Sequence, residues 1–219
     1  MKKAVVLLSG GLDSAVTLFL AKQRRFKPTC LIFDYGQRHR REINAAKSIA
    51  EKARCPWKLI RIKLPWKGSA LLDCKISIAR KSRGGSGIPS TYVPARNIIF
   101  LSFALSLAET IAARAVFIGA HSLDYSGYPD CRPEFFRAYS SMIRSGTKSG
   151  AEGQGIRICT PLIKSTKAGI IRKGKRLKVP FHLTWSCYQG GKKPCGECDS
   201  CYYRDKGFRG AGFKDPLLK

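Results

Sequence analysis

Residues 9–14 read Ser9-Gly10-Gly11-Leu12-Asp13-Ser14 and follow directly on the apolar run 4–8. An apolar run of this length before glycines predicts a buried strand, and residues 13–23 are expected to form a helix. Glycines at such a turn permit positive φ and let phosphate oxygens approach the backbone. The N–H groups and the dipole of the following helix favour an anion at the same point. The stretch therefore predicts a phosphate-binding turn, although a tight turn that needs glycine for geometry alone is the alternative.

The rest of the chain alternates short apolar segments with segments of helical periodicity. Such alternation predicts an α/β fold with a five-stranded parallel sheet, helices on both faces, and ligands bound at the carboxyl ends of the strands. Residues 64–94 lack periodicity and are long enough for a mobile active-site loop. The further strands are expected at 29–33, 57–62, 115–119 and 155–159, and the further helices at 41–53, 97–113, 134–143 and 167–176.

The global composition limits the class of protein. The 219 residues are 44% hydrophobic, which suits one domain at 1–183 and a C-terminal segment at 184–219 packed on it. No run approaches 18 apolar residues, so no membrane span is expected. The short apolar start has no cleavage site, so we expect a cytoplasmic protein. The net charge of +27 is compatible with nucleic-acid affinity, with capture of small polyanions, or with a generally basic composition.

Four of the nine cysteines are grouped near the C-terminus in the pattern C-x7-C-x2-C-x2-C, namely Cys187, Cys195, Cys198 and Cys201. Thiols in the cytoplasm are kept reduced, so a metal site is expected rather than disulfides. Four thiolates close a tetrahedral shell around Zn²⁺ and leave no position for a catalytic water. The pattern therefore predicts a structural zinc site in a small C-terminal appendage. An iron–sulfur cluster and unligated cysteines are the alternatives.

Polar loops are expected after the second and fourth strands, at the same edge of the sheet as the glycine turn. Carboxylates accept the N–H donors of a purine-like edge, and tyrosines stack on the ring. Arg96 lies at the expected start of a helix, where the dipole disfavours a cation, so a bound anion would explain it. Polar surface loops are the alternative interpretation. The candidate substrate-binding residues are Tyr35, Gln37, Arg38, His39, Asp124, Tyr125, Asp130 and Arg132.

The hexapeptide at 9–14 resembles the PP-loop of the ATP pyrophosphatase superfamily, whose members adenylate a carboxylate or carbonyl oxygen and release pyrophosphate. Neither a Walker motif nor G-x-G-x-x-G stands at this position. The resemblance implies a Rossmann-like fold of the adenine nucleotide alpha hydrolase type that binds ATP and Mg²⁺. It implies catalytic roles for Ser9, Asp13, Ser14 and Arg96. The expected ATP-binding residues are Leu8, Ser9, Gly10, Gly11, Leu12, Asp13, Ser14, Ala15, Val16, Thr17 and Leu18. Lys164 and Lys167 are expected to reach the phosphates from a later loop.

Five segments together resemble the QueC family of 7-cyano-7-deazaguanine (preQ0) synthases. They lie at 9–14, 34–39, 91–97, 124–135 and 184–201. The resemblance implies that a homodimer converts 7-carboxy-7-deazaguanine, ammonia and ATP to the nitrile through an adenylated acid and an amide, in queuosine or archaeosine biosynthesis. The alternatives are coupling of the activated acid to an amine of tRNA or protein, a tRNA thiolase, and a non-enzymatic zinc-bearing RNA-binding protein. The chain departs from the family pattern at Leu12, where a polar residue is common, and at Ala95, where glycine is common.

Overall fold

The computed structural model describes residues 1–78, 87–121 and 127–218, and its centre is a sheet of five parallel strands. The strands occur in the order β3-β2-β1-β4-β5. The expected five-stranded parallel sheet is confirmed. The strands are β1 Lys2–Leu7, β2 Phe26–Asp34, β3 Trp57–Arg61, β4 Ala115–Phe117 and β5 Arg157–Cys159.

Helices cover both faces of this sheet. The described residues form six longer helices and the short α5. The six longer helices connect or follow the strands, as α/β folds require. Two short 3-10 turns lie at Pro129–Cys131 and Phe181–Leu183. The helices are α1 Leu12–Gln23, α2 Arg41–Lys52, α3 Arg96–Thr110, α4 Pro133–Gly146, α5 Lys148–Ala151, α6 Lys167–Arg176 and α7 Asp199–Ala211.

The strand order places a crevice beside β1. From β1 the chain moves to β2 on one side, whereas β4 pairs with β1 on the other side. Loops that leave β1 and β4 therefore diverge at their carboxyl ends, which is where open α/β sheets bind ligands. The glycine turn at 9–14 lies at this crevice, as its position between the first strand and the first helix predicted.

Two apolar cores form because successive strand residues face opposite sides of the sheet. Val6 and Phe117 face the core beneath α1, α2, α6 and α7, whereas Val5 and Val116 face the core beneath α3 and α4. Phe26 packs edge-on against Phe117 with ring centroids 5.2 Å apart. The sheet is thus buried on both faces, and its open surfaces are the two edges where strands begin and end.

Helix α7 was not expected from the sequence, which predicted a C-terminal segment that packs on the main domain and has no core of its own. The helix packs along α6 and places Phe208 in the larger core, where its ring meets that of Phe181 at 5.5 Å. Its sequence is mostly polar because only one narrow side is buried. The C-terminal segment therefore shares the core of the main domain.

The segment 64–94 contains neither a helix nor a strand among its described residues. The guanidinium of Arg38 donates hydrogen bonds to the backbone carbonyls of Ala70, Cys74 and Ile76 at 3.1–3.5 Å. Ala70 and Ile78 are buried against the cysteine-rich tail. The sequence predicted a mobile loop here, but these residues up to 78 are held by contacts with two other parts of the fold.

In the part of the chain that the structure describes, none of the helices has the length and apolar character that a membrane crossing requires.

Candidate active site

The turn between β1 and α1 is built around glycine backbone geometry. Gly10 has a φ of +84°, which favours glycine. A Cβ atom there would collide with the carbonyl oxygen of Glu42 and lie 2.9 Å from the backbone nitrogen of Ala46, so α2 closes against the turn. On the other side, a Cβ atom at Gly119 would lie 2.9 Å from the backbone nitrogen of Ser14. The start of α1 is therefore enclosed by backbone and presents its N–H groups to the crevice.

Two serine hydroxyls hold the turn in shape. The Ser9 hydroxyl donates to the Ser14 hydroxyl oxygen at 3.1 Å, and the backbone N–H of Ser9 donates to the same atom at 3.2 Å. The Ser14 hydroxyl donates to the carbonyl of Gly11 at 3.0 Å. Gly11 is the N-cap of α1, and no side chain caps the helix. The free N–H groups at the start of α1 are therefore available to an anion.

Asp13 pairs with a lysine 154 residues later in the chain. The Lys167 ammonium donates to the two carboxylate oxygens of Asp13 at 2.9 and 2.8 Å, and it lies 3.0 Å from Nε2 of His121. Burial acts to raise the pKa of Asp13, but the charges of Lys167 and His121 hold this pKa below its usual value. Asp13 is thus ionised and oriented, and it does not cap α1. Its partner Lys167 stands at the first turn of α6, where Thr166 is the N-cap.

Arg96 begins α3 and points into the cavity beside two tyrosines. Burial acts to lower the pKa of Arg96, but the phenols of Tyr35 and Tyr128 raise it above its usual value, so the guanidinium stays charged. The preceding residue, Ala95, adopts the left-handed conformation with a φ of 53°. A buried cation at a helix start is unfavourable by itself, and this supports the sequence-based argument that an anion binds next to Arg96.

The loop before α4 supports the start of α3. The backbone N–H of Asn97 donates to the Asp130 carboxylate at 3.1 Å, and the Asn97 amide donates to the Asp130 carbonyl at 3.1 Å. Asp130 thus holds the start of α3 and does not line the cavity, and neither does Arg132. Cys131 does line the cavity. Burial raises the pKa of its thiol to about 11, which favours a thiol that lines the pocket over a nucleophile.

The motif 34–39 divides its side chains between the cavity and the surrounding fold. Tyr35 and Gln37 line the cavity. The Gln37 side-chain oxygen accepts the N–H of Tyr35 at 2.9 Å, which closes the turn. Arg38 holds the segment up to residue 78, as described above, and His39 packs edge-on against Trp185 with ring centroids 6.5 Å apart. Arg38 and His39 were expected to bind substrate, but the structure places them against neighbouring segments and not among the lining residues.

The cavity at the crevice has a volume of about 320 Å³ and is lined by the glycine turn, Arg96, Lys167 and residues of several other segments. Of the residues expected to bind ATP, Gly10 packs against α2, and Ala15, Val16, Thr17 and Leu18 are buried without lining the cavity. Asp124 and Tyr125 lie outside the described residues. Lys164 is exposed and does not line the cavity. The expected ATP-binding residues that do line it are Leu8, Ser9, Gly11, Leu12, Asp13 and Ser14.

The four cysteines of the tail form one cluster. Their sulfur atoms all lie within 4.8 Å of one another, and those of Cys195 and Cys201 are 3.9 Å apart. A tetrahedral zinc ion with Zn–S bonds of about 2.3 Å sets its sulfurs about 3.8 Å apart. Backbone N–H groups of Gln189 and Cys195 donate to the sulfur of Cys187 at 3.4 and 3.3 Å. The donors, their spacing and their N–H support fit a single tetrahedral metal ion.

Hydrogen bonds among the cysteines of this cluster couple their protonation. Hydrogen bonds from the thiols of Cys198 and Cys201 lower the pKa of Cys187, and the hydrogen bond to Cys187 raises the pKa of Cys198 to about 11. One thiolate therefore suppresses the ionisation of its neighbours. A divalent cation would remove this repulsion, since thiolates bound to a metal are deprotonated.

Comparisons with known proteins decide the family. A family model described as "Queuosine biosynthesis protein QueC" matches residues 3–212. The chain belongs to the QueC family. Among curated QueC-family relatives, 7-cyano-7-deazaguanine synthase 2 of Desulfitobacterium hafniense (strain Y51) is 51% identical over 218 residues, 99% of this chain and 93% of the relative. The 7-cyano-7-deazaguanine synthase of Acaryochloris marina is 52% identical over 223 residues, with 98% of each chain covered. The resemblance inferred from the sequence motifs is confirmed.

A solved structure shows that this QueC-family fold occurs in more distant proteins. NMN synthetase from Francisella tularensis superposes with a TM-score of 0.51 at 16% identity, covering 99% of this chain and 80% of that chain. At this identity the likeness concerns the fold alone. It agrees with the parallel sheet and the crevice beside β1.

Sequence reasoning missed Glu42, a carboxylate of the QueC-family cavity. Glu42 lies in the first turn of α2 and lines the cavity. Within the described residues its carboxylate makes no hydrogen bond or ion pair, and the cation that acts on it from a distance is Arg96. Burial raises the pKa of Glu42 to about 7, against the charge of Arg96. An acidic residue in the first turn of a helix is explained by the helix dipole alone. Only the packing of α2 against the glycine turn shows that Glu42 lines the cavity.

The tail of this QueC-family chain forms one wall of the cavity. The backbone N–H of Trp185 donates to the carbonyl of Gly10 at 2.9 Å, which joins the tail to the glycine turn. Arg204 donates to the Asp215 carboxylate at 2.6 and 2.9 Å and to the Thr184 hydroxyl at 2.8 Å. The tail residues that line the cavity are Trp185, Ser186, Tyr188, Asp199, Ser200, Tyr203 and Arg204. In the sequence this segment was marked by its cysteine spacing and by its resemblance to the QueC family, and the spacing indicated a metal site and not a cavity wall.

Proposed function

We propose that the chain is a 7-cyano-7-deazaguanine synthase, which converts 7-carboxy-7-deazaguanine and ammonia to the 7-cyano product at the expense of ATP. The observation that carries the proposal is the identity of about 50% over almost the whole chain to relatives of that name. The cavity supports the proposal. Its anion site suits the phosphates of a nucleotide, its guanidinium suits a phosphate or the substrate carboxylate, and its unpaired carboxylate suits the N–H donors of the base.

Activation of the acid is assigned to the glycine turn. The substrate carboxylate attacks the α-phosphorus of ATP and releases pyrophosphate, whose charge is stabilised by the N–H groups at the start of α1 and by the hydroxyls of Ser9 and Ser14. Lys167, oriented by Asp13, supplies a cation next to the same turn. Asp13 would hold Mg²⁺, which would neutralise the phosphates when it is bound.

Two rounds of this activation yield the nitrile. Ammonia attacks the adenylated acid, AMP leaves and a proton is lost, which gives the amide. The amide oxygen is then adenylated in the same way, with release of pyrophosphate and loss of one N–H proton. Loss of AMP together with the remaining N–H proton then leaves the carbon–nitrogen triple bond. Neither round needs a protein nucleophile, since positioning and charge stabilisation suffice. This agrees with a Cys131 thiol whose pKa is raised and not lowered.

Recognition of the deazaguanine is assigned to Glu42, with Arg96 opposite. The two N–H donors of a 2-amino-pyrimidinone edge match the two oxygens of one carboxylate. Glu42 supplies this carboxylate in a cavity where Asp13 is already paired with Lys167. Tyr35 and Tyr188 supply aromatic surface in the same cavity, and Arg96 is placed to bind the carboxylate of the substrate or a phosphate.

The Cys187, Cys195, Cys198 and Cys201 cluster is assigned to a structural Zn²⁺. The sulfur spacing of at most 4.8 Å fits one ion, whereas an iron–sulfur cluster spreads its thiolates around several metal atoms. Four thiolates leave no open position, so the ion has no catalytic water. Its role is to hold the tail that lines the cavity.

The proposal extends to the assembly and the location of the chain. Ile98, Phe103 and Met142, on the two helices that cover one face of the sheet, are 43%, 41% and 41% exposed, and this supports a homodimer through α3 and α4. Light scattering on the purified chain tests it. Reduced thiols in the cluster suit the cytoplasm, and the net charge of +27 supports an additional affinity for nucleic acid.

The experiment that tests the proposed reaction is incubation with 7-carboxy-7-deazaguanine, Mg-ATP and ammonium, with mass detection of the products. The nitrile is expected, and the Lys167→Met variant should form it much more slowly, because Asp13 and the phosphates lose their shared cation. Lys214→Met is the matched control, since this lysine is exposed in the tail. Accumulation of the amide without nitrile would favour the alternative in which the activated acid is passed to another amine. No turnover of any kind would contradict both.

A further inference from the structure

The edge of the sheet opposite the cavity is strongly basic. Strands begin and most helices end at this edge, since each helix runs antiparallel to its strands. We call its exposed lysines and arginines the basic edge. They are Lys2, Lys3, Lys22, Arg24, Arg25, Lys27, Lys52, Arg54, Arg114, Arg157, Lys175, Arg176 and Lys178.

Three cations of the basic edge, Lys27, Lys3 and Arg114, stand side by side on adjacent strands. Arg157, on the next strand, is in register with Ala115 and therefore faces the other side of the sheet. Lys3 is in register with Lys27. The backbone N–H of Arg114 donates to the carbonyl of Lys3 at 2.9 Å, and that of Arg157 donates to the carbonyl of Arg114 at 3.2 Å. Neighbouring strands are about 4.8 Å apart, so the row from Lys27 to Arg114 is about 10 Å long. Like charges in register repel one another, and a row of this kind is stabilised by an extended polyanion.

Three helix ends strengthen the same edge. Arg25, Arg54 and Lys178 follow α1, α2 and α6 and have φ values of 60°, 54° and 55°. Glycine is the usual residue in this left-handed conformation, because it alone adopts it without steric penalty. The chain therefore tolerates local strain and places a cation at each of these ends. The favourable interaction of a cation with the helix dipole offsets part of that strain. The helix dipole does not explain why the exposed cations are concentrated on one surface.

Little negative charge opposes these cations. The acidic residues near the same helix ends are Glu51, Glu109 and Glu152. Glu109 accepts the backbone N–H of Ser149 at 2.9 Å, and Glu152 lies 3.8 Å from the ammonium of Lys148. Two of the three are thus already engaged elsewhere, so the positive potential of the edge is largely uncompensated by the residues that the structure describes.

From this arrangement we infer that the basic edge binds the phosphate backbone of a nucleic acid, on the side of the molecule away from the cavity. A linear row of cations at regular spacing matches a chain of phosphates. A membrane surface is a poorer match, since membrane-binding faces place several exposed apolar side chains among their cations. Near this edge such side chains are Met1 and Phe213, and Phe213 lies beneath the ammonium of Lys175 at 4.9 Å. The inference deepens the proposed nucleic-acid affinity and is independent of the synthase reaction.

The test compares two triple variants of the full chain that lose the same charge. The edge variant is Lys3→Gln, Lys27→Gln and Arg157→Gln. The control variant is Lys63→Gln, Lys67→Gln and Lys193→Gln, three exposed lysines at the cavity side of the sheet. Binding of fluorescein-labelled 20-base-pair RNA and DNA duplexes is measured by anisotropy from 50 to 200 mM NaCl, together with binding to vesicles that contain phosphatidylserine. Nitrile formation is measured in parallel and reports on folding and on the catalytic proposal separately.

Both duplexes are expected to bind with strong salt dependence, because the backbone and not the base sequence is contacted. The edge variant should bind roughly tenfold or more weakly, and its slope of log K against log[salt] should fall by about 3. The control variant should bind as the unmodified chain does, and both variants should keep their nitrile formation. Equal weakening of both variants, no duplex binding at 50 mM NaCl, or edge-dependent binding to vesicles alone would each overturn the inference. Binding of the RNA duplex without the DNA duplex would also overturn the inference, because both have the phosphate backbone that the basic edge is inferred to contact.

Discussion

At the scale of single residues, Glu42 carries the sharpest test of substrate recognition. Glu42→Gln replaces one of two acceptor oxygens by a donor, so a charge-assisted pair of hydrogen bonds worth about 2–3 kcal/mol is lost. We expect KM for 7-carboxy-7-deazaguanine to rise roughly 30-fold or more while KM for ATP changes little. Steady-state kinetics with each substrate varied in turn measures both. Glu51→Gln, an exposed position on the same helix, serves as the control, and an equal rise of both KM values would show that Glu42 does not read the base.

Ala95 is the second residue with a measurable consequence. Its φ of 53° costs about 1 kcal/mol for a residue with a Cβ atom. Ala95→Gly removes this strain but increases the backbone entropy of the unfolded chain, which offsets part of the gain. We expect the free energy of unfolding in urea to rise by about 0.5 kcal/mol. Ala45→Gly, inside α2, should instead lower it by about 1 kcal/mol. A loss of stability in both variants would mean that the left-handed conformation of Ala95 is not strained.

At the scale of secondary-structure elements, α7 is anchored by one buried ion pair. The side chains of Arg204 and Asp215 are 5% and 3% exposed, so Arg204→Met would leave a buried carboxylate without its cation. Such a loss is expected to lower the free energy of unfolding by about 3–5 kcal/mol. Arg209→Met on the same helix removes an ion pair with Asp205 that is exposed to solvent, and it should change stability by less than about 1 kcal/mol. Urea unfolding of the two variants decides whether burial makes the difference.

The metal cluster is the second anchor of the same element. We expect about one zinc per chain, since four thiolates fit one ion. Removal of the metal, or Cys198→Ser, should release the tail, expose the backbone near residue 184 to proteases and reduce nitrile formation, because the tail lines the cavity. Cys74→Ser alters an exposed cysteine outside the cluster and should have none of these effects. Iron and sulfide in the metal analysis would contradict the assignment to zinc.

At the scale of the whole molecule, the charge of +27 should oppose folding. The compact state concentrates like charges, and salt screens their repulsion over a Debye length of about 10 Å at 0.1 M. We therefore expect the Tm to rise as NaCl is increased from 20 to 300 mM at neutral pH. Thermal unfolding followed by circular dichroism measures this change. A Tm that falls with salt would show that attractive ion pairs outweigh the repulsion.

Nucleic-acid binding at the basic edge accounts for this charge without involving catalysis. The cavity opens at the carboxyl ends of the strands, whereas the basic edge lies at their amino ends. The two surfaces are therefore separated by the length of the strands. Because of this separation, the cavity stays accessible to small substrates while the opposite side of the molecule is bound to a polyanion.

The strands, the glycine turn and the four cysteines were predicted from the sequence because each depends on neighbours in the chain. A short apolar run, two adjacent glycines and a C-x2-C-x2-C spacing carry their structural meaning within a few residues. The five-stranded parallel sheet and the position of the turn at its crevice followed from the order of such local signals. Helix α7 was missed because a mostly polar sequence with one buried side lacks a clear apolar period.

Only the tertiary structure decided which side chains share the cavity. Asp13 meets Lys167 across 154 residues, and Trp185 reaches back to Gly10. The tertiary structure also gives two neighbouring residues different positions: Asp130 holds the start of α3, whereas Cys131 lines the cavity. Such pairings depend on how helices pack on the sheet, and no local pattern encodes them. The sequence by itself thus determined which groups the glycine turn and the cysteine cluster offer, whereas folding determined that Glu42, Arg96 and the tail surround the same space.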